Sequence, residues 1–224
     1  MPTPEVRAEI DTGSGTVGTV WTAPAGAVAT LVLAHGAGAG MDHPFMAGFC
    51  RAIADANVAT LRFNFPYIEK GRRSPDPERA LRATWLAAFE AGKARSNGRP
   101  VLAGGKSLGG RIASMAVADG MPAAGLVFLG YPLHAPGKAE RVRDEHLYRI
   151  EAPMLFLHGT ADPFARADLL KRVLRKLGER AEYMPIEGGD HSFNVKGRKK
   201  DAREVGAELA ELASPFVRRV AGGR

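Results

Sequence analysis

Residues 101–116 read VLAGGKSLGGRIASMA, and everything else in the chain can be placed relative to them. The apolar run Val101-Leu102-Ala103 meets Gly104-Gly105-Lys106-Ser107-Leu108-Gly109-Gly110. Leu108, Ile112, Met115 and Ala116 then recur at helical spacing. Strand, sharp glycine-rich turn and helix form the setting of a Gly-x-Ser-x-Gly nucleophile elbow. Such a turn tolerates no Cβ near the serine and holds the serine backbone in strained geometry. Its hydroxyl is thereby presented at a helix N-terminus, where backbone N–H groups face developing negative charge.

Two rival readings compete for these residues. Gly105-Lys106-Ser107 is also the tail of a phosphate-binding Gly-x-x-x-x-Gly-Lys-Ser/Thr loop, but Pro100 stands where that motif needs glycine. The strand also runs almost into the glycines, leaving no room for the phosphate loop. The plainer alternative is a glycine-rich turn with a capping serine. A second phosphate-like pattern, Gly13-Ser14-Gly15-Thr16-Val17-Gly18, spells Gly-x-Gly-x-x-Gly. It is followed by β-branched residues and Pro24 rather than a helix, so the dinucleotide reading is rejected.

A chain of 224 residues, 45% apolar, can bury the core of one α/β domain, expected over residues 1–224. No apolar run is long enough for a transmembrane helix. The opening MPTPEVRAEIDTG lacks the features of a signal peptide. One cysteine excludes an internal disulfide and fits a reducing compartment, so the expected location is cytoplasmic. Cys50 shares a helical stripe with Met46, Phe49 and Ile53 and is expected in the core. The net charge of +7 arises from basic runs at 70–73, 171–180 and 196–203. The middle run alternates with Leu170, Val173, Leu174 and Leu177, and no aromatics interleave for base stacking. A solvated basic face is expected rather than a nucleic-acid partner, and no membrane partner is expected either.

In chain order, 6–11 and Thr16–Thr22 predict a hairpin around Thr12-Gly13-Ser14-Gly15. Further strands are expected at Ala29–Ala34, Val58–Phe63, 101–103, 124–129, 153–157 and Ala181–Ile186. Helices are expected at 44–56, 77–95, after the elbow, at 166–177 and at 201–220. Residues 133–150 are the one sizeable insertion, polar, partly helical and too short for more than a minimal cap. The alternation predicts an α/β fold: a mostly parallel sheet with helices on both faces and a short N-terminal antiparallel hairpin. Chemistry in such sheets gathers at the carboxyl ends of the strands. His35, Ser107, Asp162 and His191 each follow such an end.

A serine hydroxyl needs a base to take its proton, and neutral imidazole held by a carboxylate serves near neutral pH. Of six histidines, His191 follows the last strand behind Gly188-Gly189. His146 lies in a charged segment and is expected in solvent, while His134 and His158 have no obvious carboxylate behind them. His35 and His43 precede the serine. Asp190 adjoins His191, and neighbouring side chains diverge, so Asp162 is the preferred acid, with a helix N-cap as its plainer role. Small residues in His35-Gly36-Ala37-Gly38 let backbone N–H groups approach a ligand. The N–H groups of Ala37 and Leu108 are thus the expected oxyanion hole. His35, Gly38, His43, Lys106 and Tyr131 are candidates for the substrate wall. Lys106 could favour an anionic substrate, but pairing with a nearby carboxylate is its preferred role. No metal and no organic cofactor is expected.

The order Ser107…Asp162…His191 is that of the α/β-hydrolases, and the chain resembles that superfamily throughout, within its small dienelactone-hydrolase-like group. The segments LAHGAGAGMDHPFM, LRFNFPY, GGKSLGGR, HGTADP and GGDHSF are more narrowly similar to bacterial relatives of the testis-expressed and NSL-complex-subunit-three hydrolase-like proteins. The resemblance implies an α/β-hydrolase fold with Ser107 as nucleophile, Asp162 as acid and His191 as base. Dienelactone hydrolases proper carry cysteine where Ser107 stands, so their substrate is not transferred. The expected activity is a serine hydrolase of esterase type, acting on a small-molecule acyl ester or thioester through an acyl-enzyme. The alternative is a binding or scaffold protein that keeps the fold, since some relatives serve as complex subunits. Nothing in the sequence fixes the oligomeric state.

Overall fold

The computed structural model describes residues 3–13 and 15–222. Ser14, in the expected hairpin turn, lies outside the described residues. Strands β1 (Glu5–Asp11) and β2 (Thr16–Thr22) pair antiparallel from Glu5↔Thr22 to Asp11↔Thr16. Then follow β3 (Ala29–Ala34), α1 (Pro44–Asp55), β4 (Val58–Phe63), α2 (Pro66–Glu69) and α3 (Glu78–Ala94). The second half comprises β5 (Val101–Lys106), α4 (Leu108–Ala118), β6 (Leu126–Leu129), β7 (Met154–Gly159), α5 (Ala167–Leu177), β8 (Ala181–Ile186) and α6 (Ala202–Gly222).

One sheet runs in the order β1-β2-β4-β3-β5-β6-β7-β8. It is parallel from β4 to β8, and β2 joins it antiparallel through Thr19↔Phe63. Every residue of β3, β4, β6 and β7 is buried, as continuous apolar runs between two helical layers should be. The pleat sorts them. Leu31, Leu33, Val127, Leu129, Leu155 and Leu157 face Phe45, Phe49 and Cys50 of α1 and Leu209, Phe216 and Val217 of α6. Val32, Phe128 and Phe156 face Trp85, Ile112 and Val173 on the other layer. Each such side chain contributes roughly 1.5–3 kcal/mol relative to exposure.

The structure departs from the sequence reading in two places. β5 continues through the glycines to Lys106, because Gly104 and Gly105 pair with Leu33 and Ala34 of β3 and with Val127 and Phe128 of β6. The short α2 was not expected. The 133–150 segment is partly helical as expected, with one 3-10 turn, Glu145–Arg149, and it anchors Leu147 and Ile150 in the core.

Candidate active site

The site is built from the four loops that follow β3, β5, β7 and β8, at the carboxyl ends of these strands. Ser107 follows β5 with φ 48° and ψ −112°, a conformation that costs a non-glycine residue roughly 1–3 kcal/mol. Packing enforces it. Ser107 N–H donates to Leu129 O at 3.1 Å, and α4 starts at once with Arg111 N–H to Ser107 O at 3.0 Å. A Cβ on Gly109 would stand 2.3 Å from Ala34 O, so only glycine lets the elbow sit this close to β3.

Ser107 Oγ lies 2.8 Å from His191 Nε2, and His191 Nδ1 lies 2.7 Å from Asp162 Oδ2. The Asp162 side chain is fully buried, while 19% of the His191 side chain remains exposed. Burial would raise the Asp162 pKa, but the His191 hydrogen bond and Phe164 N–H together hold it below the usual carboxylate range. An ionised Asp162 accepts from Nδ1–H, which leaves Nε2 free to accept the serine proton. The Phe164 ring stacks on the imidazole with centroids 4.1 Å apart. Ala161 N–H donates to Gly189 O at 2.9 Å, and a Cβ on Gly159 would sit 2.2 Å from the same oxygen. The acid and base loops are therefore in backbone contact.

Asp190 is occupied elsewhere: its Oδ1 accepts from Ser192 N–H at 2.8 Å and Asn194 N–H at 2.9 Å. Asp162 is not the cap of α5, whose N-cap is Arg166. Its Oδ1 instead accepts from Phe164 N–H at 2.8 Å and fixes its own turn.

A cleft of about 530 Å³ opens at Ser107, lined among others by Ala37, Gly38, His43, Lys106 and His191. In the loop after β3, Gly38 N–H donates to Tyr67 Oη and Ala39 N–H to Gly36 O. The Ala37 N–H has no acceptor among the described residues. Leu108 opens α4, where the first-turn N–H groups have no intrahelical partner. Ala37 lines the cleft, and Leu108 directly follows Ser107.

Gly38, His43 and Lys106 of the expected substrate wall thus line the cleft, but His35 and Tyr131 do not. His35 is completely buried; its Nδ1–H donates to Gly36 O at 2.8 Å and its Nε2 accepts from Phe65 N–H at 3.2 Å. Burial pushes its pKa down to about 4, so it is a neutral brace for the loop. Tyr131 packs on Phe128 and Phe156 and donates to Arg143 O at 3.0 Å, away from the serine. His146 is not in solvent: its Nε2 sits 2.8 Å from Ser114 Oγ and 3.1 Å from Tyr131 Oη. His158 does have a carboxylate behind it, with Nε2 3.4 Å from Asp162 Oδ2. Cys50 is buried as expected. Sequence reasoning missed Phe45, Met46, Phe164 and Asn194 in the cleft wall. Phe164, directly after Asp162-Pro163, was the most accessible of these from sequence.

Among the described residues, no group of His, Cys, Asp and Glu is arranged to hold a metal, and no helix is long and apolar enough to cross a membrane. A family model described as alpha/beta hydrolase domain matches residues 27–220. A dienelactone hydrolase from Anabaena variabilis superposes with TM-score 0.77 at 21% identity, covering 96% of this chain and 97% of that one. A serine hydrolase without lid from Xanthomonas campestris gives 0.75 at 18%, covering 98% of each chain. An alpha-beta serine hydrolase homologue from Coxiella burnetii gives 0.74 at 19%, covering 97% and 98%.

Proposed function

Because the chain belongs to the alpha/beta hydrolase domain family, we propose that it is a serine hydrolase of esterase type acting on a small acyl ester or thioester. The observation that carries this reading is the unbroken chain from Ser107 Oγ through His191 to buried Asp162, at 2.8 Å and 2.7 Å, at the mouth of the cleft. Ser107 Oγ attacks the acyl carbon while His191 Nε2 takes its proton. The tetrahedral oxyanion is held by the N–H groups of Ala37 and Leu108. Its collapse expels the alcohol or thiol, which leaves with the proton from His191. Water, deprotonated by the same nitrogen, then releases the acid and returns the proton to Ser107.

The narrower kinship, with bacterial relatives of the testis-expressed and NSL-complex-subunit-three proteins, belongs to this proposal, as does a cytoplasmic location inferred from the single cysteine. The partner is a small-molecule substrate rather than nucleic acid or a membrane. The segment between β6 and β7 is packed against α4 and the core and contributes no residue to the cleft lining, which suits a substrate that enters directly from solvent.

A fluorophosphonate probe tests the proposal without knowledge of the substrate, because its phosphoryl oxygen takes the place of the oxyanion. Stoichiometric labelling at Ser107 is expected at neutral pH, and His191→Ala should abolish it while leaving the fold intact. Native protein that stays unlabelled under excess probe would return the non-catalytic scaffold as the better reading.

A further inference from the structure

One charged side chain of the cleft has no part in the chemistry above. Lys106 ends β5 and immediately precedes Ser107. Among the described residues, its Nζ forms no ion pair with any carboxylate. Its hydrogen bond goes instead to the main-chain carbonyl of His191, at 2.5 Å. The ammonium also sits 5.3 Å from the centroid of the Phe193 ring. Gly130, at φ 73°, makes room for the bridge: a Cβ there would lie 3.2 Å from Lys106 Nζ and 3.5 Å from His191 O. Burial pushes the Lys106 pKa down to about 8 against the pull of Asp162 and Asp190, so the amine is mostly charged at neutral pH. A hydrogen bond from a charged donor is roughly twice as strong as a neutral one.

The backbone of His191 has no other hydrogen-bond partner among the described residues. Its neighbours are tied locally, Asp190 N–H to Asn194 O and Phe193 N–H to Asp190 O. The imidazole, by contrast, is held at both nitrogens. We infer that Lys106 is a positioning residue for the base: it anchors the His191 main chain to the nucleophile's own strand, so that Nε2 and Ser107 Oγ stay in register. This rests on the reading of His191 as the general base. A cation in a cleft could instead hold an anionic substrate, but here the amine is engaged with the protein itself.

The experiment compares native protein with Lys106→Met, a substitution that keeps the stem and removes the donor. Fluorophosphonate labelling rate and kcat on p-nitrophenyl acetate should fall on the order of 100-fold, the usual cost of a displaced catalytic group. KM should stay within about a factor of two, since the amine is engaged with the His191 carbonyl rather than with substrate. The loss should be equal on an anionic p-nitrophenyl hemisuccinate. If Lys106→Met folds poorly, Lys106→Cys followed by aminoethylation restores a near-isosteric amine, and activity should return with it; Cys50 is buried and out of the reagent's reach. The NMR signal of the His191 Nδ1 proton, assigned by its absence in Asp162→Asn, should be sharp in native protein and broadened in Lys106→Met. Native labelling rates and a sharp proton signal in Lys106→Met would overturn the inference, and so would a loss confined to the anionic ester. If native protein is itself unlabelled, the hydrolase reading falls, and the proton signal alone still decides whether Lys106 positions His191.

Discussion

Asp162 orients the imidazole because its two oxygens meet different donors: Oδ2 takes the His191 Nδ1 proton and Oδ1 takes Phe164 N–H. Asp162→Asn puts the wrong tautomer in front of Ser107. It should cost on the order of ten-thousand-fold in kcat. Asp190→Asn disturbs only the turn that carries the histidine and should cost far less. Ester turnover by the two variants measures this, and the reverse ranking would mean that the acid is misassigned. Ser107 holds a backbone conformation that glycine adopts freely. Relief of that strain exceeds the entropy glycine adds to the unfolded chain, so Ser107→Gly should be inactive yet stabilised by up to about 1 kcal/mol. Urea titration checks it, and a destabilised variant would argue that the elbow is relaxed.

At the scale of elements, the site is assembled where strand ends touch. β7 and the loop after β8 approach so closely at Gly159 and Gly189 that no side chain fits between them. Gly159→Ala would press a methyl group into Gly189 O. It should destabilise the fold by roughly 1–3 kcal/mol and carry His191 out of reach of Ser107. Thermal melting and probe labelling should fall together; a variant with native labelling would show that the loops can part without harm. The same scale explains why the insertion at 133–150 contributes nothing to the cleft wall. Tyr131 and Ser114 bind His146, and Leu147 and Ile150 enter the core, so the segment is fastened to α4 and the sheet. Its polar composition hid this, since the contacts that fasten it come from residues distant in sequence.

For the whole molecule, acid is the weak direction. Burial holds His35, His146 and His158 down to about 4, well below the ~6.5 of an unfolded histidine. The unfolded chain therefore binds protons first as pH falls. Stability is full above about 6.5, declines down to about 4 and then levels as far as these groups are concerned. His35, with no exposed surface, accounts for about 3 kcal/mol of this decline. Asp162, whose folded pKa is depressed, adds a further loss as pH drops through that lower value. Melting temperature measured from pH 7 to 4 should fall steeply in one transition of the whole chain, and a flat profile would contradict the neutral buried histidines. The sequence by itself determined all the longer elements, their α/β alternation and the gathering of Ser107, Asp162 and His191 at strand ends, because hydrophobic period and glycine placement are written locally; the short α2 and the run of β5 through its glycines needed the neighbouring strands. It could not determine which way a side chain turns once there. His35 and His43 both follow β3, yet only His43 reaches the cleft, because Phe65, 30 residues beyond His35, claims the His35 ring. Lys106 adjoins the serine, and its role depends on a carbonyl 85 residues away. Packing across the sheet decided both, since the partner that satisfies a buried polar group is set by the folded backbone and not by its neighbours in sequence.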